Sequence, residues 1–274
     1  QFNPNIAPPG FILSIIGVFY YRRYATKVLY ETGRLLPTYW PSLALLILPM
    51  GVVFIVQSFA AQYGGKDELA SARRYGWYGL ILAAIAGALA LAAIPLVKPA
   101  VSPMAYSPAV KALMGDYIEL RLLAIAAVVG FEAVGNWYGG LGNTRVQMVA
   151  SLLMMALNVG LNALLIEGRL GFPALGVQGA ALASVCATWA AFILLLVLFV
   201  RGWGCDRAKL RAGDARLRIS EFVRMLRFGL PSGLNWFMEF AAFLFFVDVV
   251  VAEIGTTTVA ALMVVFQVNS VSFM

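Results

Sequence analysis

The 274-residue sequence contains no histidine. This absence excludes Ser-His catalytic triads, metal sites ligated by histidine and proton relays built from histidine. The chain also lacks a GxSxG motif, a pair of aspartates in the middle of an apolar run and a phosphate-binding GK[ST] loop. We therefore expect a protein that is not an enzyme, does not hydrolyse ATP, and uses neither a metal centre nor an organic cofactor.

Cysteine and charged residues are scarce as well. Cys186 falls in an apolar stretch and Cys205 in a basic one, which argues against a disulfide between them. Charged residues make up 12% of the chain and hydrophobic residues 62%, with a mean hydropathy of +0.85. Soluble domains are usually about 45–50% apolar and about 25% charged. The composition therefore predicts an all-α, polytopic bundle of membrane-spanning helices.

Six apolar runs are long enough to cross a bilayer, which takes about 20 mostly apolar residues in a helix. They are residues 39–63, 76–97, 117–141, 146–166, 176–200 and 228–252. A seventh run begins near Thr256 and reaches the last residue, Met274. The stretch 10–31 is either the end of a first helix or an interfacial segment. Because the first residue is Gln1 and Met274 lies inside an apolar run, we expect a longer parent protein.

The net charge of +7 reflects basic residues left in loops and does not indicate a nucleic-acid partner. Lysine and arginine concentrate in the connections 64–75, 142–145 and 201–227, whereas 98–116 and 167–175 are poorer in them for their length. By the positive-inside rule the first group is cytoplasmic. The basic cluster before residue 35 would then lie outside, against that rule. The segment 201–227 is the longest polar connection, marks a boundary between two bundles, and is expected to contact lipid headgroups.

Three acidic residues lie inside or close to apolar runs. Glu239 is near the middle of 228–252 with Asn235 one turn before it, and Glu132 lies inside 117–141. Asp248 falls near the end of its run and is expected to reach the interface. Because ionisable groups at membrane depth are costly, Glu239 and Glu132 are candidates for reversible binding of a proton or cation. The alternative is a protonated carboxyl group that only joins helices.

Amide side chains also occur in the spans. They are Gln57, Gln62, Asn158, Asn162, Gln178, Gln267 and Asn269. Such groups either line a transport pathway or hydrogen-bond between helices.

Small residues and one proline predict how the helices pack. Four small residues recur every four positions on one helix face: Gly176, Ala180, Ser184 and Thr188. Gly135 and Gly139 form a similar pair, and such seams allow close approach of helices in lipid. Pro49 removes a backbone donor inside its span and is expected to kink that helix.

Three stretches together resemble the multidrug and toxic compound extrusion (MATE) family. They are LPMGVVFIVQSFAAQYGGKDELASARRYGWYGL at 48–80, NWYGGLGNTRVQMVASLLMMALNVGLNALLIEGRLGFPALGVQGAALAS at 136–184, and FGLPSGLNWFMEF at 228–240. The resemblance implies twelve helices in two lobes, of which this chain holds an N-lobe (1–200), a cytoplasmic lobe linker (201–227) and the start of a C-lobe (228–274).

The resemblance further implies a multi-pass transporter of the inner (plasma) membrane. Entry of H+ or Na+ would drive export of lipophilic, often cationic drugs by alternating access. The cation- or substrate-binding residues it implies, together with the polar groups above, are Glu239, Glu132, Asn235, Asn158 and Asn162. The first-helix aspartate of many members has no counterpart here, so Glu132 is a candidate substitute. Further partners of Glu239 would come from C-lobe helices that this chain does not contain.

Two other functions remain open at this point. A related flippase for lipid-linked oligosaccharides must hold a pyrophosphate, yet the six spans carry no central lysine or arginine, and Arg121 is near an end. A non-transporting membrane assembly protein is the second alternative. Acidic residues buried in several spans argue against a purely structural role.

Overall fold

A computed structural model describes residues 47–102, 108–168, 173–211 and 216–245. Every regular element in these ranges is an α-helix, which confirms the predicted all-α fold. The stretch 10–31, the beginning of the 39–63 span, Asp248 and the run from Thr256 to Met274 lie outside the described residues.

Eight helices follow one another along the described chain. They are α1 (Ile47–Gly65), α2 (Leu69–Val101), α3 (Pro108–Leu122), α4 (Ile125–Gly140), α5 (Thr144–Glu167), α6 (Gly176–Arg201), α7 (Arg207–Arg211) and α8 (Ile219–Phe245). Among the described residues, α1, α2, α5 and α6 are long and apolar enough to cross a membrane. We call the end formed by the start of α2, the end of α6, α7 and the start of α8 the linker end.

The predicted span 117–141 is wrong in one respect, because the structure divides it between α3 and α4. Leu123 and Ala124 form the break, and their backbone N–H groups bond to the carbonyl oxygens of Leu120 and Arg121 at 3.2 and 3.0 Å. These bonds to the third preceding residue tighten the chain and end the regular α-helical ladder.

The predicted connection 98–116 is also shorter than expected. Helix α2 continues to Val101, and α3 starts at Pro108, where a proline is favoured because the first helical N–H groups have no partner within the helix. Lys98 lies 3.8 Å from Asp116 and 3.7 Å from Glu119, so ion pairs join the polar ends of the two helices. The length of an apolar run predicts only the part of a helix that lies in the membrane. Polar extensions beyond the membrane are not predicted in this way.

Part of the 201–227 segment is helical. Asp206 begins α7 by accepting the backbone N–H of Ala208 at 2.9 Å, as helix-capping residues do. Helix α8 starts at Ile219, well before the apolar run at 228. Ser220 therefore lies inside the first turn.

Helix α1 is interrupted at Phe54. The kink expected from Pro49 would involve the carbonyl of residue 45, which lies outside the described residues, so it stays a prediction. The N–H of Phe54 reaches Met50 at 3.1 Å, while that of Gln57 bonds to Phe54 at 3.2 Å. The first is the α-helical bond to the fourth preceding residue, and the second is a tighter bond to the third preceding residue. The helix is therefore locally tightened at this point.

Glycines bring several helices into close contact, and Ser184 of the predicted seam contacts Asn158 of α5. A Cβ atom on Gly179 would lie 2.5 Å from the carbonyl oxygen of Leu165, so this residue, outside the predicted seam, fixes the approach of α5 and α6. Gly135 packs tightly on Gln147 as predicted. Gly139 does not: Gln57 is 3.8 Å away, and Gly140 makes the close contact with α1.

An aromatic core holds the linker end together. Trp137 of α4 is fully buried, donates its indole N–H to the carbonyl oxygen of Ala72 at 3.0 Å, and packs edge-on against Phe199 with ring centroids 4.8 Å apart. Tyr138 donates to the carbonyl oxygen of Trp203 at 3.0 Å. These contacts join α2, α4 and α6 and fix the frame on which the polar groups stand.

Candidate functional site

The two asparagines predicted as binding residues lie together between α5 and α6. The side-chain amide of Asn162 donates to Oδ1 of Asn158 at 2.8 Å, and the side-chain amide of Asn158 donates to the hydroxyl of Ser184 at 3.1 Å. The side-chain oxygen of Asn162 is buried and accepts no hydrogen bond within the described part of the chain. Buried polar atoms are nearly always satisfied in proteins. An open acceptor beside two further polar groups can therefore receive a proton donor or a cation.

Glu132 of α4 is half-buried. No hydrogen bond or ion pair joins it to another described residue, and in particular none joins it to Asn158 or Asn162. Asn136, one turn later on the same face, is buried with 7% of its surface exposed. The structure therefore places Glu132 on α4 as a further polar position, with no bond to the asparagine pair of α5.

Glu239 and Asn235 lie on α8 and are exposed in the described chain. Helix α8 packs on α1 through Gly229 and Gly233: Cβ atoms there would lie 2.7 Å from the carbonyl oxygens of Val52 and Leu48. At 3.6 residues per turn, Glu239 is about 240° round the helix from Gly233. The carboxylate thus points away from α1, towards space that the described helices do not fill.

A tryptophan and a methionine lie close to Glu239 along α8. Trp236 lies 6.0 Å from Phe54 of α1 between ring centroids, and it is 45% exposed. Met238 is 56% exposed. Both can therefore contribute an adaptable apolar wall beside Glu239.

A buried ion pair at the linker end was not predicted from the sequence. Arg74 of α2 donates from Nε and Nη2 to the two carboxylate oxygens of Glu221 in α8, at 2.9 and 3.0 Å. Tyr78 donates to the same carboxylate at 2.9 Å and accepts the backbone N–H of Arg218 at 2.8 Å. Burial raises the pKa of Glu221, but the hydrogen bonds from Arg74 and Tyr78 outweigh it and hold the pKa below its usual value.

Glu221 is one of three acidic residues in the basic 201–227 segment, so nothing in the sequence singles out this pair. Arg74 was interpreted as part of the basic 64–75 connection, but it lies in the first turns of α2 and is 8% exposed. Its neighbour Arg73 donates to the carbonyl oxygen of Val200 at 2.8 Å, at the negative end of α6. Both arginines are therefore structural parts of the linker end.

The comparisons with known proteins agree with this arrangement. The MatE family model matches residues 41–164. The probable multidrug resistance protein NorM of Chromobacterium violaceum is 30% identical over 82% of this chain and 48% of its own length. This chain belongs to the MATE family. The multidrug resistance protein NorM of Vibrio cholerae is 25% identical over 84% of this MATE chain and 50% of its own length.

Solved MATE structures show the same fold. A multidrug resistance MATE family transporter in its outward-facing conformation matches with a TM-score of 0.75 at 21% identity, covering 95% of this chain and 58% of the other. A MOP superfamily transporter from Pyrococcus furiosus matches with a TM-score of 0.71 at 20% identity, again over 95% of this chain and 58% of the other. The MATE chain described here spans about half the length of the curated relatives it matches.

Proposed function

We propose that the complete protein containing this chain is a secondary active multidrug exporter of the inner (plasma) membrane. It exchanges H+ or Na+ for lipophilic, often cationic compounds. The observation that carries the proposal is Glu239, a carboxylate in an apolar helix that faces away from α1 and has no ion-pair partner among the described residues. Family membership and the multidrug resistance names of the relatives support it.

The proposed domain organisation is that of two lobes. Helices α1–α6 belong to the N-lobe (1–200), the segment 201–227 is the cytoplasmic linker, and α8 begins the C-lobe (228–274). Asn158, Asn162 and Glu132 then form a polar region inside the N-lobe, while Glu239 and Asn235 face the cleft between the lobes. C-lobe helices that this chain does not contain complete the site around Glu239.

Coupling follows from competition for one carboxylate. A charge at membrane depth is costly, so Glu239 is stabilised by a proton, by Na+ or by a cationic drug, and two of these do not bind it at once. If ion and drug prefer opposite-facing conformations, entry of one drives exit of the other. The apolar wall beside Glu239 accepts drugs of different shapes because it contains flexible and aromatic side chains.

The structure favours drug export over the flippase alternative. Pyrophosphate recognition requires available positive charge. Among the described residues the buried arginine is Arg74, and its guanidinium is already bonded to Glu221 at the linker end. No observation in the described helices favours a non-transporting assembly protein.

The test is the Glu239→Gln substitution in the full-length protein. It keeps the size of the side chain and removes its charge, so drug export is expected to be abolished while the protein is still inserted in the membrane. Glu68→Gln, at an exposed position between α1 and α2, makes the same chemical change away from the site and is expected to leave export intact. Drug resistance at the level of the unsubstituted protein in Glu239→Gln cells would refute the proposal.

A further inference from the structure

The start of α8 is tied to α2 by a compact polar cluster made of Arg74, Tyr78 and Glu221. Two hydrogen bonds run from Arg74 to the carboxylate at 2.9 and 3.0 Å, and one from Tyr78 at 2.9 Å. The side chains of the ion pair are 9% and 13% exposed. A second ion pair nearby, between Lys209 and Asp67, is exposed at 46% and 67%. The two pairs therefore differ in burial but share the linker end.

Beyond this cluster, α8 is held to α1 by close backbone contact. A Cβ atom on Gly51 would lie 2.6 Å from the Cα of Gly233, so the two helices touch at this crossing. Such a contact depends on shape alone and carries no charge. The charged cluster thus supplies the directional part of the attachment.

We propose that Arg74, Tyr78 and Glu221 form a latch that holds the two lobes together at the linker end, and that the latch opens during each transport cycle. This inference rests on the proposed two-lobed transporter, since α2 then belongs to one lobe and Glu221 to the first helix of the other. The latch is a positioning device and does not touch drug or ion.

The chemistry of the cluster suits reversible contact. A buried ion pair gains attraction but loses hydration, and the two effects nearly cancel. Separation at the end of the bundle returns both charges to water, so closed and open states differ little in free energy. Removal of one partner has a different effect, because the closed state then contains a buried charge without its counter-charge.

The test measures closure directly, without drug or ion. Cys186 and Cys205 are replaced by alanine in the full-length protein, and Phe54 and Trp236, whose rings are 6.0 Å apart across α1 and α8, become cysteines. A short bifunctional thiol reagent then reports in membranes how often the two helices are in contact. Glu221→Gln is expected to slow cross-linking roughly tenfold, and the exchanged pair Arg74→Glu with Glu221→Arg to restore most of the rate.

Asp67→Asn is the matched control, because it removes the charge of an exposed ion pair at the same end and is expected to leave the rate unchanged. Cross-linking of Glu221→Gln at the parental rate would overturn the latch. A loss that the exchanged pair does not restore would also overturn it, since the effect would then not depend on the pairing of opposite charges. If Glu239→Gln leaves export intact, the proposed transport function fails, whereas this cross-linking result stands or falls independently.

Discussion

Arg74 and Glu132 are both ionisable residues on helices that pack together, but their surroundings differ. Arg74 lies at the linker end and shares two hydrogen bonds with Glu221. Glu132 lies within α4 and has no hydrogen-bond or ion-pair partner among the described residues. Glu239 of α8 also has none among them. The carboxylate of Glu221 thus holds helices together. The carboxylates of Glu132 and Glu239 and the side-chain oxygen of Asn162 have no partner among the described residues, and we call these three the open groups. The open groups are the ones available to a ligand.

The largest effect on stability is expected at the linker end, from the substitution Trp137→Ala. This change removes a fully buried side chain, its bond to Ala72 and its packing on Phe199. A loss of about 3–5 kcal/mol in the free energy of unfolding is expected. Thermal unfolding of the purified full-length protein measures it, with Trp236→Ala as the partly exposed control. Equal losses for both variants would show that the linker end is not the stabilising region.

Arg74→Ala is expected to follow, with a loss of about 3 kcal/mol, because it leaves Glu221 largely buried without its counter-charge. The same unfolding measurement applies. Combining Arg74→Ala with Glu221→Ala should recover part of the loss, since the second change removes the unpaired charge. A double variant that is as unstable as the sum of the two single variants would contradict the pairing.

The pH dependence of stability gives an independent check of this pair. The pKa of Glu221 is lower in the folded protein than in the unfolded chain, so the carboxylate stabilises the fold fully above the unfolded value, about 4.3. This stability is lost as the pH falls through the lower, folded value. Between about pH 5 and 8 the stabilisation from Glu221 should therefore be constant, so unfolding curves should show no pH dependence from this residue. A difference in pH dependence between the parent and Glu221→Gln inside that range would contradict it.

For the open groups the expectation is reversed, with little effect on stability and a large one on export. Asn162→Leu removes a buried oxygen that accepts no bond among the described residues, together with the single bond that Asn162 donates to Asn158. The free energy of unfolding should therefore fall by only about 1 kcal/mol. Export should fall if this oxygen binds ion or drug. Asn158→Leu breaks two bonds and should lower stability as well. Unchanged export in Asn162→Leu would remove this residue from the proposed site.

The smallest effect is expected for Asp67→Asn. The pair with Lys209 is exposed, and such pairs contribute little to stability. Asp67 has a left-handed backbone conformation with φ of 61°, which asparagine adopts readily. No measurable change in unfolding temperature or in export is expected. A clear loss of either would mean that burial does not explain the difference between the two ion pairs.

Much of the fold was predictable because apolar runs mark the parts of helices that lie in lipid. The break at Leu123 and the polar extension of α3 to Pro108 could not be predicted from apolar runs. Local hydrogen bonds determine the break, and ion pairs stabilise the extension. The hydrogen bond between Asn158 and Asn162 follows from their four-residue spacing in one helix. The contact between Asn158 and Ser184 depends on how α5 packs on α6. The spacing of residues along one helix does not predict that packing.

The ion pair at the linker end is a clearer example of a contact that the sequence pattern cannot predict. Arg74 and Glu221 are 147 positions apart, and each is an ordinary charged residue of a basic segment. Only the packing of α8 on α2 brings them together. Glu239, in contrast, was recognisable from sequence alone because a charge in an apolar run is unusual wherever the helix packs.

The central claim is that Glu239 binds ion and cationic drug in competition. The most direct measurement is equilibrium binding of tetraphenylphosphonium, a lipophilic cation, to the purified full-length protein, with pH and Na+ varied separately. Binding is expected to weaken as protons or Na+ increase, and Glu239→Gln should abolish both the tight binding and its dependence on the competing ion. Equal affinity and equal ion dependence in the parent and Glu239→Gln would contradict the claim.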